Sequence, residues 1–416
     1  MRKRIDTLVI GAGSIGVCSA YFLASKGRQV TVIDQSDVGT ACSYGNAGII
    51  AISHIVPLAA PGVLIQGLKW MLDPEGPFYI KPRMDFALFG WLWRFALACR
   101  KGPMLRGMSL INGLAQASLP LYESFASMNG LGFHFKKKGS LLIYRDSKHF
   151  EAEIREAAII RPYGISSAVL NPTDIRQIEP RVHPSVVGGV HYQDDSHLNP
   201  HEFVKGLASY AERKGVTFQT STEVLDFETW NGTITKVKTT RGDFLADEVI
   251  LTAGSWSPAL AKRLQLSLPI QPAKGYSLTF KCSNLDDSIP MRLGEARVIV
   301  TPMGGIVRFA GTLELAGLDL SINQRKVRAV QSAVREYLVG LEDLELLEIW
   351  RGLRPLTPDG LPVIGRSRRW TNLTIATGHG MQGIALGPVT GKLVAELTCR
   401  ETPSVDIAGL GVERFQ

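Results

Sequence analysis

The hexapeptide Gly11-Ala12-Gly13-Ser14-Ile15-Gly16 constrains this chain more than any other stretch. It follows the run Thr7-Leu8-Val9-Ile10, which suits a buried parallel strand, and it opens a segment, 17–26, that reads as a helix with small and apolar residues on one face. Gly27 ends that helix, and 29–33 is a second apolar strand closing on Asp34. A complete βαβ unit of about thirty residues, with an acidic residue ending its second strand, is the context in which GxGxxG signals dinucleotide binding. Each glycine has a task there. Gly11 permits the tight turn, Gly13 lets a pyrophosphate approach the backbone, and Gly16 lets helix and strand pack closely. The helix N-terminus, with Ser14 and Ile15 in it, offers unpaired N–H groups and a positive dipole end to the diphosphate. Asp34, followed by Gln35, is placed to meet ribose hydroxyls; an acidic side chain there disfavours a 2′-phosphate, so NADP fits poorly.

The glycine motif does not separate FAD from NAD, so other segments must. Ser43-Tyr44-Gly45-Asn46-Ala47-Gly48 lies just after the first unit, and its small polar residues suit a loop threading beside a diphosphate and flavin, or an ordinary surface loop. Thr252-Ala253-Gly254-Ser255-Trp256 follows the apolar strand Val249-Ile250-Leu251 and permits close approach of a flat or phosphorylated cofactor. A plain strand-end turn has the same composition. A nicotinamide enzyme has no obvious need of both loops.

At 416 residues the chain exceeds the roughly 250–300 at which one core stops growing. Two domains are expected. Strands are expected at 139–144, 216–219, 233–240, 244–251 and 277–281, and helices at 200–214 and 326–340. The closing residues return to the opening style, with a strand at 373–376, a Gly-rich turn and a helix at 388–397. Chemistry at both ends around a different middle points to a nucleotide domain made of discontinuous segments.

The net charge of +8 suits a solvated basic face, an anionic substrate or an anionic membrane surface. The tight basic run Lys136, Lys137 and Lys138 has no aromatic interleaving, so no nucleic-acid partner is expected. Five dispersed cysteines without a CxxC pair argue against a disulfide framework or a thiolate metal site. His191, Asp194, Asp195 and His197 resemble metal ligands superficially. With Asn199-Pro200 opening a helix behind them they read as a polar turn, and no metal is expected. The apolar N-terminal stretch runs straight into the glycine loop without a small-residue cleavage site, which reads as mature cytoplasmic protein.

These motifs together resemble the D-amino-acid-oxidase-like flavoprotein superfamily, and within it the bacterial D-amino-acid dehydrogenases. The markers run in order over nearly the whole chain: GAGSIG at 11–16, SYGNAG at 43–48, LAAPGV at 58–63, PAKGYSLT at 272–279, GLRPLTPDGLPVIG at 352–365 and GHGMQGIALGPVTG at 378–391. The resemblance implies an α/β fold: a Rossmann-type FAD-binding domain from 1–60, 198–258 and 350–416, plus an α+β substrate domain with an antiparallel sheet from 61–197 and 259–349. It implies noncovalent FAD and oxidation of a small amino acid, of D configuration, to the 2-oxo acid or a cyclic imine, by hydride transfer to flavin N5. Position by position, Gly11, Gly13, Gly16 and Asp34 match the ADP site, and Ser43, Asn46, Ala47 and Gly48 the loop beside the flavin. Val224 matches the valine near the adenine; Ala253, Gly254 and Trp256 belong to the turn near ribose and diphosphate. Gly380, Met381, Gln382 and Gly383 fall where the family sets backbone N–H groups at the flavin pyrimidine edge. Two positions depart from the pattern, Gly45 where alanine is usual and Gln382 where an apolar residue is usual, and both bear on substrate identity.

Hydride transfer from Cα requires an unprotonated amine and no strong side-chain base, so the lack of a His–Asp pair is no obstacle. Arg354 matches the arginine that grips the substrate carboxylate, and its planar fork suits two oxygens. Tyr276 is a second candidate donor to that carboxylate, or a core tyrosine. His379 and His54 flank the flavin loops. The segment 84–99 is shorter than the ~20 residues of a spanning helix and contains Arg94. Two tryptophans and the flanking Arg83, Arg100 and Lys101 suit a helix lying in a bilayer interface on the inner face of the membrane; a buried helix fits as well. The interfacial arrangement would hand electrons to a membrane quinone rather than to oxygen. A glycine/sarcosine-type oxidase and a D-proline or D-hydroxyproline dehydrogenase are the alternatives.

Overall fold

The computed structural model describes residues 4–71 and 76–416. Its first sheet has eight strands. At its centre Thr217–Gln219, Val30–Ile33, Arg4–Ile10, Gly242–Leu251 and Leu373–Thr377 run parallel in that order. These strands are short and apolar because helices cover both faces; Leu8, Val9, Val32, Ile250 and Ile375 are all but fully buried. The antiparallel strands Val224–Trp230, Thr233–Thr239 and Val363–Arg366 extend this sheet.

The helix Ser14–Ser25 follows the glycine turn and packs between the helices Pro200–Arg213 and Gly387–Thr398. Pro200–Arg213 presents Phe203, Val204, Leu207 and Ala211 inward, the 3.6-residue stripe of a half-buried helix. The expected helix at 326–340 is observed at Gln324–Tyr337, and that at 388–397 at Gly387–Thr398.

A nine-stranded, mostly antiparallel sheet forms the second layer. Gln271–Lys281 lies between Leu346–Leu356 and Ile306–Leu315, antiparallel to both. Val327, Val330, Val334 and Tyr337 of the Gln324–Tyr337 helix cover one face of it, against Tyr276, Leu278, Phe280 and Phe309. Burying each such side chain contributes about 1.5–3 kcal/mol, which fixes this face as core and leaves the other for the cleft.

Two helices join the layers. Lys101–Ala126, with Pro120 inside it, sends the Ser118 and Tyr122 hydroxyls to the carbonyls of Ala385 and Ile384 beside the Gly387–Thr398 helix. Phe86–Ala98 is the segment in which the sequence allowed an interfacial or a buried helix. It has both characters: Leu88, Trp91 and Phe95 face the core, and Trp91 Nε1 donates to the Leu356 carbonyl at 2.9 Å. On its other side Phe86 is 87% and Trp93 68% exposed, with Phe89 and Leu97 beside them. No helix among the described residues is long and apolar enough to cross a membrane.

Candidate active site

A cleft of about 460 Å³ opens at the carboxyl ends of the parallel strands, against the free face of the second sheet. Parallel strands leave a crevice there, where the connections diverge. Gly11, Gly13, Ser14 and Ile15 line one end of it, with Asp34 and Gln35. Gly16 lies under the turn rather than in the cleft, and a Cβ on it would stand 1.8 Å from the Gly11 carbonyl oxygen. The Thr252 hydroxyl braces the same turn, donating to the carbonyls of Ile10 and Gly11 at 2.8 and 3.0 Å. Asp34 accepts N–H groups from Ala12 at 2.7 Å and Ser36 at 2.8 Å. Burial raises its carboxyl above the usual range, and these two donors hold it back.

Ser43 and Asn46 line the cleft. The Ser43 hydroxyl accepts the Ser14 N–H at 3.0 Å, which sets its loop against the helix N-terminus. Asn46 Oδ1 takes the Gly48 N–H at 2.8 Å, while Gly48 turns away and packs against the Leu198 carbonyl. Ala47 between them is half-buried. The buried Arg308 pins this loop by donating to the carbonyls of Tyr44 and Asn46. Val224, Ala253, Gly254 and Trp256 line the far wall, and His379, Gly380 and Gly383 the floor.

Arg354 stands opposite Ala273 on the face of the second sheet that carries Gly275. Its guanidinium lies across Gly275, whose missing side chain makes the room: a Cβ there would be 2.1 Å from Nη1. Nη1 donates to the Thr312 carbonyl at 2.8 Å. Among the described residues Nε and Nη2 have no hydrogen-bond partner, and no carboxylate lies within ion-pair distance. Burial lowers the guanidinium pKa, with the Cys42 thiol, which lines the cleft, acting weakly against it. Tyr276 lies on the opposite face. Its hydroxyl donates to Glu314 and accepts the Asn323 N–H, both at 3.2 Å, so the strand does not bring it to Arg354.

The turn bearing His379 and Gly380 is tied to the strand of Arg354 by the Gly380 N–H to Pro355 carbonyl bond at 3.0 Å. His379 is buried, with Nε2 3.0 Å from the Thr390 hydroxyl, and burial pushes its pKa down to about 3. Met381, Gln382 and His54 border a side chamber of about 20 Å³ next to the cleft. Gln382 Nε2 donates to the His54 carbonyl. Burial, and then the charges of Arg292 and Arg297, push His54 down to about 4. The turn at 191–197 supports this loop. Asp195, with no exposed surface, accepts the Ser53 N–H at 3.0 Å and the hydroxyls of Ser53 at 2.8 Å and Ser140 at 2.6 Å. Both histidines are therefore neutral at pH 7; Arg263 and Arg351 line the cleft, and Arg354 stands between the lining residues Leu353 and Pro355.

The sequence model of the family described as DAO, FAD dependent oxidoreductase, matches residues 6–397. The chain belongs to this family. A D-amino acid dehydrogenase of Granulibacter bethesdensis is 31% identical over 98% of this chain and 99% of its own length. One from Cereibacter sphaeroides is 33% identical over 98% and 95%. Among solved structures, glycine oxidase from Geobacillus kaustophilus superposes with a TM-score of 0.81 over 99% of both chains at 21% identity. L-proline dehydrogenase from P. horikoshii gives 0.78 over 100% of this chain and 98% of its own, at 20%. The fold is thus a Rossmann-type FAD domain with a substrate domain, and the protein is an FAD-dependent oxidoreductase.

The cleft suits FAD in three respects. The glycine turn is too tight for any side chain at 16, the helix behind it aims its N-terminus into the cleft, and Asp34 keeps acceptor lone pairs after its two backbone bonds. Several contributors carried no recognised signal in the sequence. Gly275 sits in a marker motif but gains meaning only from the register that lays Arg354 over it. Arg308, Thr312 and Asp195 act through partners remote in sequence.

Proposed function

We propose that this protein is an FAD-dependent D-amino-acid dehydrogenase that converts a small D-amino acid and water to the 2-oxo acid and ammonia, or a cyclic D-amino acid to its imine. The observation that carries the proposal is the free fork of Arg354. A half-buried guanidinium with one neutral partner and no counter-ion is costly unless an anion arrives, and a carboxylate fits Nε and Nη2 side by side. The D configuration rests on the names of the relatives.

Gly13 and Ile15 would offer backbone N–H groups to the diphosphate, Gly11 turning the chain and the Ser14 N–H already held by Ser43, while Asp34 and Gln35 would take the adenosine ribose and Val224 the adenine. Ser43 and Asn46 on one side, in the loop that Ala47 and Gly48 continue away from the cleft, and Ala253, Gly254 and Trp256 on the other, would enclose the middle of the cofactor. Gly380 and Gly383 would meet the flavin edge, with Met381 and Gln382 bordering the side chamber next to it. Bound FAD supplies the two-electron acceptor for hydride from Cα. Arg354 fixes the carboxylate and so the direction of the Cα–H bond. His54 and His379 are uncharged, so neither repels the amine or its proton. Tyr276 backs the sheet beneath Arg354. The segments 1–60, 198–258 and 350–416 serve the cofactor and 61–197 and 259–349 the substrate, except that the strand Leu346–Leu356, which carries Arg354, belongs to the second sheet and serves the substrate.

The acceptor we propose is a quinone at the inner face of the membrane. Phe86, Phe89, Trp93 and Leu97 form an exposed apolar stripe, with Met84, Leu64 and Ile65 also exposed nearby in sequence and Arg94, Arg100 and Lys101 at its margin. Turnover under nitrogen with a short-chain quinone, comparing D- and L-alanine, tests the assignment. Quinone reduction with the D enantiomer supports it. Peroxide formation in air without quinone reduction would make the protein a glycine/sarcosine-type oxidase.

A further inference from the structure

Seven non-glycine residues among those described adopt a left-handed backbone, and Thr312, at φ 64°, is the only β-branched one. Branching at Cβ makes that region especially unfavourable, and such conformations persist only where the surroundings impose them. Thr312 lies inside the strand Ile306–Leu315 rather than in a turn. The pairing shows why it is strained. Lys274 faces Glu314 and Tyr276 faces Gly311, so two steps on one strand oppose three on the other, a β-bulge with Thr312 in its extra span. Past it the strand leaves Val298–Pro302 and pairs in parallel with Phe78–Ile80, the Leu313 N–H donating to the Pro77 carbonyl at 2.8 Å, but Thr312 itself takes no part in that pairing. The residue is 9% exposed, its hydroxyl is buried without a partner among the described residues, and the neighbouring strand Gln271–Lys281 pairs regularly with Leu346–Leu356 across the same region. At Thr312 itself the bulge turns one group to use: its carbonyl accepts from Arg354 Nη1 at 2.8 Å.

We propose that the bulge at Thr312 is a positioning device for Arg354. Its carbonyl takes Nη1 and stops rotation of the guanidinium about its terminal bonds, with Gly275 as the floor and Nε and Nη2 left for substrate. The proposal rests on the reading of Arg354 as the carboxylate clamp. It assigns Thr312 a role through its main chain, not its hydroxyl. A neutral carbonyl is the suitable anchor, because a carboxylate would satisfy the cation and compete with the substrate. Lysine at 354 could not reproduce the arrangement, since a point ammonium has no second face to offer.

The test compares kcat/KM for D-alanine with that for D-alaninamide, which lacks the carboxylate, using FAD-loaded enzyme throughout. A general structural defect lowers both together; a misaligned clamp lowers only the acid. Arg354→Met sets the baseline, and loss of its acid preference is required for Arg354 to be the clamp at all. If Arg354→Met leaves the acid-to-amide ratio unchanged, the functional reading fails and this inference fails with it. Deleting Thr312, or replacing it with proline, removes the left-handed residue, and a displacement near 1 Å is expected to lower the ratio about 100-fold. Thr312→Gly, which accepts the same φ and keeps the carbonyl, is expected to rescue the ratio. A wild-type ratio in the deletion and proline variants, beside a collapsed one in Arg354→Met, would overturn the proposal alone. Should neither variant load FAD, Thr312→Val decides. A ratio retained within threefold supports the carbonyl, and a collapsed ratio would move the role to the hydroxyl and overturn it.

Discussion

Gly275→Ala probes the clamp without altering any charge. The new methyl would begin 2.1 Å from Arg354 Nη1 and 2.4 Å from Cζ, where non-bonded carbon contacts settle near 3.5–4.0 Å. The strand Gln271–Lys281 cannot retreat, because it is hydrogen-bonded on both sides and backed by the packed helix Gln324–Tyr337. The guanidinium must therefore move by more than an ångström, which breaks the bond to Thr312 and the alignment of its free edge. Charge-assisted hydrogen bonds contribute about 1.5–3 kcal/mol each, and every 1.4 kcal/mol is tenfold. Losing one of two substrate bonds should lower kcat/KM for a D-amino acid roughly 10- to 150-fold. Steady-state kinetics on enzyme with full FAD content measures this. The cofactor is expected to stay, since Gly275 does not line the cleft. A yellow Gly275→Ala enzyme with kcat/KM within twofold of wild type would refute the reasoning, because the arginine would then not need the place it occupies.

Three other outcomes follow from the same geometry. Asp34→Ala removes the acceptor for the Ala12 and Ser36 N–H groups and for the ribose, so FAD affinity by fluorescence titration should weaken about 10- to 100-fold, at roughly 1.5–3 kcal/mol for a charged hydrogen bond. His379, His54 and His197 have native pKa values pushed down to about 3, 4 and 4 by burial, against 6.5 unfolded. Because the unfolded chain takes up these protons first, stability is flat above pH 6.5 and falls as pH drops toward 4. Each histidine contributes on the order of 1 kcal/mol of loss at pH 5.5, and urea midpoints at pH 7.5 and 5.5 will show whether the fall is there. Trp93→Glu should reduce co-sedimentation with anionic phospholipid vesicles several-fold while leaving anaerobic flavin reduction unchanged; equal binding by both proteins would dismiss the helix as the contact.

The opening βαβ unit was legible because it is local. A run of buried strand residues, a glycine turn and a terminal aspartate lie within one short stretch, and each is dictated by its neighbours. Arg354 was singled out in the sequence for another reason, a motif rather than a periodicity. Tyr276 shows where the motif stops helping. It stands beside Gly275 in PAKGYSLT, but successive strand residues point to opposite faces. Once Arg354 occupies the Gly275 side, Tyr276 must face the core under Gln324–Tyr337. That parity depends on which strands pair, and no single segment states it. The 26-residue helix Lys101–Ala126 was not anticipated, since Gly102, Pro103, Gly107, Gly113 and Pro120 weaken its local preference. Its burial against both layers supplies what propensity withholds, with Met108, Ile111, Leu114 and Tyr122 fully covered. The segment 84–99 offered two arrangements because it carries two apolar stripes on one helix, one for the core and one exposed.

The central claim is that the flavin of this protein is reduced by a D-amino acid held through its carboxylate. Anaerobic mixing of the oxidised holoenzyme with D- and L-amino acids, glycine, sarcosine and D-hydroxyproline, followed by flavin absorbance, tests it most directly. The account predicts rapid bleaching by one or more D-amino acids and none by their L enantiomers. A yellow protein that no member of the panel reduces, or that L-amino acids reduce equally well, would contradict it.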